Sequence, residues 1–414
     1  MAAMNDAAQN QPNRLNIALV TETYPPEING VAITLGRMID GLLERQHDIH
    51  VIRPAQGRQD NAKTSARYSE TLMASLPIPG YPELKFGLPA KEKLLRLWRD
   101  KRPDVIHIAT EGPLGWSACS AARVLGIPVC SDFHTNFHNY SQHYGVGWLN
   151  KPIEYYLRQF HNRTQCTLVP TTMLQSTLSQ SGYGDVRVVS RGIDAELFHP
   201  DKRCTELRRS WGVGEKTPVA LLVSRLAAEK NLSLVVDAFA KIHCLRPDSK
   251  LVMVGDGPAR TALQKKFPHI IFAGMRSGED LARHYASADL FLYPSTTETY
   301  GNVTIEAMAS GLLTLAYEYA AAREHIKHEV NGLLAPFNDT HAFLALAQGI
   351  LSDEYRIQRM RKNARTSVEH LRWENINIQF ESILLKLVHP VSLMDGKNSQ
   401  QRSRIKPFDD FDLS

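Results

Sequence analysis

The chain has 414 residues, 43% of them hydrophobic and 22% charged, a balance that excludes a disordered polypeptide and leaves room for two units of about 200 residues, each with its own core. A net charge of +5 over this length permits a basic face toward phosphates or anionic lipid but does not argue for nucleic acid. No run of about 18 apolar residues reads as a membrane span, and residues 1–13 lack the apolar centre of a signal peptide.

Strand-like runs alternate with helical stretches from end to end. Leu15–Val20 is the first strand. The loop after it carries Pro25 and Pro26, which stiffen it, and ends at Asn29-Gly30 just before the helical period of Ile33–Gln46. Gly30 would let a phosphate sit against that helix start, although the loop taken alone reads as an ordinary connection. Asp48–Arg53, Asp104–Ile108, Ile127–Ser131, Cys166–Pro170 and Val186–Ser190 continue the strands, and Lys91–Arg102 is helical by period. His134 follows the fourth of these strands, on the ligand side of such a sheet. A lone histidine is more often structural, but this place beside a cleft favours contact with a ligand.

The alternation restarts at Pro218 with Val219–Ser224, Lys250–Val254, His269–Ala273, Asp289–Tyr293, Leu312–Ala316 and Gly332–Ala335. The break between the series lies in the polar, turn-rich stretch 199–216. Two βα series predict two doubly wound parallel sheets, at 14–199 and 217–372, with ligands at the C-terminal strand ends. An amphipathic helix over 373–389 closes the fold, and the polar tail 390–414 is expected to be disordered.

The chemistry-bearing loops sit in the second half. Arg225 and Lys230 lie where a loop opens a helix after Val219–Ser224, a place where two cations neutralise a diphosphate; the plain alternative is a solvated lysine and a salt-bridged arginine. Gly255 and Gly257 follow Lys250–Val254 and suit either a tight turn or close approach to a ligand. The third glycine of a dinucleotide fingerprint is missing, which disfavours a dehydrogenase. Most informative is Glu298-Thr299-Tyr300-Gly301-Asn302-Val303-Thr304-Ile305-Glu306, directly after the strand Asp289–Tyr293. Two carboxylates flank a glycine and a helix start whose free N–H groups and positive dipole end suit phosphate. That layout fits a nucleotide-sugar.

Two segments mix aromatic and basic residues. One is 136–163, with Phe137, Tyr140, Tyr144, Trp148, Tyr155, Tyr156, Arg158 and Phe160; the other is 85–102, with Phe86, Leu94, Leu95 and Trp98. Each suits the headgroup level of a membrane, and each equally reads as a helix packed by its apolar face, which is the favoured reading. The five cysteines are widely spaced and odd in number, so buried reduced thiols in a cytoplasmic protein are expected. His134 and His138 share the spacing of a zinc helix but lack the glutamate beside the first. No metal site is expected, and the acidic cluster Asp409, Asp410, Asp412 lies in the polar tail.

With these pieces in order, residues 14–388 resemble a retaining glycosyltransferase of family 4 with the GT-B fold, an α/β architecture of two facing Rossmann-like domains with a cleft between them. The resemblance rests on Glu298 and Glu306 followed by Ala307-Met308-Ala309-Ser310-Gly311, on Arg225 with Glu229-Lys230, on Gly255-Asp256-Gly257-Pro258 and on Asn331-Gly332-Leu333-Leu334. It implies that Glu298 holds the donor sugar's hydroxyls, assisted by backbone N–H groups of Tyr300, Gly301, Asn302 and Val303. Glu306 would bind the ribose, and Arg225 and Lys230 the diphosphate, with Gly30 and Gly255 nearby. His134 would contact the sugar at the reacting carbon. It implies nucleotide-sugar as co-substrate, no metal or other cofactor, and a final helix that crosses back to the first domain. Tyr300, Asn29 and Leu313 depart from the common Phe, Gly and Pro, which touches loop geometry rather than the reaction.

Thr110-Glu111-Gly112-Pro113-Leu114-Gly115-Trp116, Phe133-His134-Thr135-Asn136-Phe137-His138 and Ser190-Arg191-Gly192-Ile193-Asp194 resemble the branch containing GDP-mannose-dependent α-mannosyltransferases and sulfoquinovosyl-diacylglycerol synthases. That branch implies a hexose, mannose first, passed to a lipid-linked or glycolipid acceptor by a protein at the cytoplasmic membrane face. A UDP-sugar with a soluble saccharide or sugar-phosphate acceptor is the alternative; a non-catalytic nucleotide-sugar-binding protein is the remote one.

Overall fold

The computed structural model describes residues 14–25, 27, 30–57, 59–78, 81–134 and 150–390. Its strands are β1 (Asn16–Val20), β2 (Asp48–Pro54), β3 (Tyr68–Met73), β4 (Ser75–Ile78), β5 (Tyr81–Gly87), β6 (Val105–Ile108), β7 (Val129–Asp132), β8 (Cys166–Val169) and β9 (Val186–Val188) in the first half. The second half has β10 (Val219–Val223), β11 (Lys250–Val254), β12 (Ile271–Gly274), β13 (Leu290–Tyr293), β14 (Leu313–Tyr317) and β15 (Leu333–Ala335). They form two parallel sheets, ordered β3-β2-β1-β6-β7-β8-β9 and β12-β11-β10-β13-β14-β15. Strands such as β6 and β10 are buried at every position, as a parallel sheet covered by helices on both faces demands. Strand order reverses between β1 and β6 and between β10 and β13, so a crevice opens at the C-terminal ends there.

Three strands escape the sequence pattern. β3 carries Ser69, Glu70 and Thr71 rather than an apolar run. Glu70 is buried because Arg53 of β2 meets its carboxylate at 2.8 Å, a partner found only in the folded state. β4 and β5 form a separate antiparallel hairpin, so the stretch 85–102 is not one element. A helix begins at Lys91, with Leu94, Leu95 and Trp98 buried and Lys91, Lys93, Arg96 and Arg99 exposed. The packed-helix reading therefore applies there, and no aromatic headgroup anchor is presented by Trp98. In the other aromatic segment Phe160 is buried and Tyr155 and Tyr156 are exposed, while Phe137, Tyr140, Tyr144 and Trp148 lie outside the described residues, as do His138, Asn29 and the tail 391–414.

The cysteine expectation holds for Cys119, Cys130 and Cys166, which are buried, but not for Cys204, half-buried, or Cys244, exposed at a helix end. All five are free.

The helix Trp373–Val388 returns to the first sheet. Its Ile376, Phe380, Ile383 and Leu384 share a core with Leu35, Ile39 and Leu42 of the helix Gly30–Glu44. Gly41 permits that approach, since a β-carbon there would overlap the Asn377 side chain. The chain enters the second core at Ile193 and leaves it at Leu371. At this crossing Ile193 pairs in parallel with Arg372, and its N–H donates to the Leu371 carbonyl at 2.7 Å.

Candidate functional site

The candidate site lies at the C-terminal ends of β1, β7, β10, β11 and β13. Glu298 comes after β13 and Lys230 after β10, neighbouring strands in the second sheet, and the two side chains form an ion pair. Glu298 also accepts from the Tyr293 hydroxyl at 2.6 Å and the Ser295 hydroxyl at 2.7 Å. Burial opposes its charge, but the Lys230 ammonium and these hydroxyls outweigh it and hold the carboxyl below its ordinary range. Glu298 is thus an ionised, three-fold-anchored acceptor at the mouth of the crevice.

Glu306 sits within the helix Asn302–Ala309 and accepts from the Tyr285 hydroxyl at 2.9 Å. Burial, with no cation paired to it, raises this carboxyl to about 7. Gly301 is the residue before that helix, at φ 91°, and no side chain caps the helix start. The N–H groups of Asn302 and Val303 therefore open toward the crevice without an intrahelical partner. Tyr300 is buried, and its hydroxyl lies 3.0 Å from Ser190 Oγ and 2.9 Å from His325 Nε2.

Arg225 is exposed and makes no ion pair or side-chain hydrogen bond among the described residues, unlike Lys230. Its loop is held from behind by the glycine turn. Gly255 has φ 127°, and a β-carbon there would stand 1.9 Å from the Ser224 carbonyl oxygen; Gly257 meets Leu226 in the same way. This backbone packing accounts for both glycines. Gly30 is exposed, opens its helix, and has empty space where a β-carbon would stand.

His134 is the first-sheet member of the set. Its Nδ1 accepts from Arg191 Nη2 at 2.7 Å, and its Nε2 stands 2.9 Å from Asp132 Oδ2. The other Asp132 oxygen faces His107 Nε2 at 3.0 Å. Burial opposes the Asp132 charge, but the flanking His107 and His134 outweigh it and hold the carboxyl well below its usual range. Burial, then the Arg191 guanidinium, push the His134 imidazole below its usual value. The His134 carbonyl accepts from Thr299 Oγ1 at 2.9 Å, which joins the two halves across the cleft. A second bridge is made by Glu324, which accepts from the N–H of Thr172 at 3.0 Å and caps the helix Thr172–Gln180.

The sequence pattern missed Asp132, His107, Arg191, Tyr285 and Tyr293. Asp132 stands two residues before His134, a visible signal. Arg191 lies in the stretch 190–194 singled out above, though not as a site residue, whereas His107, Tyr285 and Tyr293 reach the site from separate strands and a helix and carry no local mark. Among the described residues no group of three His, Cys, Asp or Glu side chains could hold a metal ion.

Two Rossmann-like sheets with carboxylates, cations and an open helix start at their facing crevice define a GT-B glycosyltransferase. Residues 28–197 match the family described as Glycosyltransferase Family 4, and residues 204–367 match Glycosyl transferases group 1. A GDP-mannose-dependent alpha-mannosyltransferase of Corynebacterium glutamicum is 33% identical over 368 residues, 88% of this chain and 87% of that protein. A sulfoquinovosyl transferase of Arabidopsis thaliana is 29% identical over 309 residues, 72% of this chain and 60% of that protein. The solved sucrose-phosphate synthase of Thermosynechococcus elongatus shares the fold, with TM-score 0.74 at 21% identity over 90% of this chain and 99% of its own. The chain belongs to the family 4 glycosyltransferases.

Proposed function

We propose that this enzyme transfers a hexose, mannose from GDP-mannose first, to a lipid-linked or glycolipid acceptor with retention of configuration. One observation carries the donor reading: ionised Glu298, bound by Lys230, Tyr293 and Ser295, stands beside an uncapped helix start. A carboxylate fixed in this way accepts from sugar hydroxyls, while the free N–H groups and Arg225 suit the diphosphate. Glu306 would take the ribose and His134 the sugar near the reacting carbon. Gly30 and Gly255 would let backbone lie close to the phosphates. Two cations then offset the leaving-group charge, so no metal ion is needed.

The mannosyl donor is supported by the name of the Corynebacterium mannosyltransferase, and the glycolipid acceptor by relatives named as alpha-monoglucosyldiacylglycerol synthases. No helix among the described residues is long and apolar enough to cross a membrane. The exposed row Lys91, Lys93, Arg96 and Arg99 supports peripheral attachment to anionic lipid at the cytoplasmic face.

The test is a thermal-shift panel of GDP-, UDP- and ADP-sugars followed by transfer assays with excess chelator. GDP-mannose should raise the melting temperature most, and transfer to a glycolipid should survive EDTA. Preference for a UDP-sugar with a soluble acceptor would replace the mannosyl reading. Binding without transfer or donor hydrolysis would make the protein a nucleotide-sugar-binding module instead.

A further inference from the structure

The chain crosses from the first core to the second between Val189 and Ile193, ahead of the turn-rich stretch 199–216, and this connection passes directly behind the site. Ser190 and Arg191 follow β9 and precede Ile193, where the second core begins. Ser190 Oγ meets the Tyr300 hydroxyl at 3.0 Å, and the next residue, Arg191, donates to His134 Nδ1 at 2.7 Å. Thr299, the neighbour of Tyr300, donates to the His134 carbonyl at 2.9 Å. A closed ring results: connection, first-sheet wall, second-sheet wall and connection again. The connection itself is pinned, because a β-carbon on Gly192 would lie 2.3 Å from the Trp373 ring and Ile193 is paired with the returning chain.

Arg191 is buried, with 7% of its surface exposed, and has no carboxylate within ion-pair distance among the described residues. Its charge is balanced through the imidazole: guanidinium on Nδ1, Asp132 on the Nε2 side, His107 beyond. An arginine donating to Nδ1 requires that nitrogen to be unprotonated, so the ring proton resides on Nε2. Orientation and tautomer of His134 are therefore set from the connecting segment.

We propose that Ser190 and Arg191 are positioning residues for glycosyl transfer: two consecutive residues of the interdomain connection each grip one wall of the donor cleft, Tyr300 and His134, and fix their separation. The inference rests on the donor-site reading of these two walls. Reaction rates depend steeply on such placement, about 100-fold for an error near 1 Å. Nucleotide affinity should respond little, because Arg225, Lys230 and Glu306 all belong to the second half.

The test uses Arg191→Met, Arg191→Lys and Ser190→Ala in the full chain. Arg191→Met should lower kcat about 10- to 100-fold while nucleoside diphosphate affinity stays within about twofold. Arg191→Lys, which keeps the charge but not the planar fork, should recover part of the rate, and Ser190→Ala should lose several-fold. Long-range 15N–1H spectra of histidine-labelled protein, with His134 assigned by its absence in His134→Asn, should show the Nε2–H tautomer in wild type and a mixture in Arg191→Met. Wild-type kcat in Arg191→Met overturns the proposal, as does equal loss of rate and nucleotide affinity. Should Arg191→Met not fold, Arg191→Lys decides, and wild-type kcat there overturns it. A wild-type protein that binds no nucleotide-sugar would instead overturn the donor-site reading, a result distinguishable from these because it precedes any substitution.

Discussion

Replacing Lys230 by Met removes the cation that holds Glu298 ionised. Both side chains are 16% exposed, between the surface pairs that contribute little and fully buried pairs whose breaking costs about 3–5 kcal/mol. Glu298 keeps its two hydroxyl donors, Tyr293 and Ser295, which softens the loss. A cost of about 2 kcal/mol follows, equivalent to a fall of about 4–8 °C in melting temperature for a domain of this size. In the double substitution Lys230→Met with Glu298→Gln, no buried charge is stranded, so the Lys230 penalty should shrink by more than half. The pH dependence has a definite sign. Glu298 has a folded pKa below its ordinary 4.5, so its stabilisation is present above that value and is lost as pH falls through the folded pKa. The gap between wild type and Lys230→Met should therefore narrow as the solution is acidified from neutral pH through the ordinary carboxylate range. Scanning calorimetry of wild type, the two single variants and the double variant, at neutral pH and at about pH 3.5–4, measures both effects. Equal penalties for Lys230→Met whether or not Glu298→Gln is also present, or a gap that widens in acid, would refute the ion-pair reasoning.

Three further outcomes are expected. Glu306 has a raised folded pKa of about 7, so its neutral form favours folding at low pH and that stabilisation is lost as pH rises from 4.5 through 7; Glu306→Gln should flatten this decline in melting temperature and weaken nucleoside diphosphate binding in calorimetry. Arg225→Ala should lower transfer about 100- to 1,000-fold with under about 0.5 kcal/mol change in denaturant stability, since the exposed side chain has no partner to lose among the described residues; near-normal turnover would remove Arg225 from the diphosphate site. Sedimentation with anionic vesicles should occur at low salt, vanish at about 0.5 M salt and weaken on reversing Lys93 and Arg96 to Glu, because only charges and not Trp98 face outward.

Much of the architecture was legible before any coordinates. β-branched runs such as Val219–Val223 and the helical periods between them express burial on both sheet faces, which requires apolar residues at every strand position. The loop from Glu298 to Glu306 was legible because its carboxylates, glycine and helix start are consecutive, so local geometry places them without help from the rest of the chain. β3 was not legible, because Glu70 is buried only by Arg53 on the adjoining strand, and no composition rule anticipates a polar strand made apolar by pairing.

The sequence by itself determined the alternation of strands and helices, the two halves and the local motif that carries the donor site. Only the tertiary structure decided which charges meet. Lys230 and Glu298 are 68 positions apart and become partners because β10 and β13 are neighbours. His107, Asp132, His134 and Arg191 come from β6, β7, the loop beyond it and the interdomain connection, and align only once both sheets are built. The physical reason is range: backbone preference and side-chain period act over a few residues, whereas a buried charge is stabilised by whichever opposite group the folded chain brings within hydrogen-bond distance.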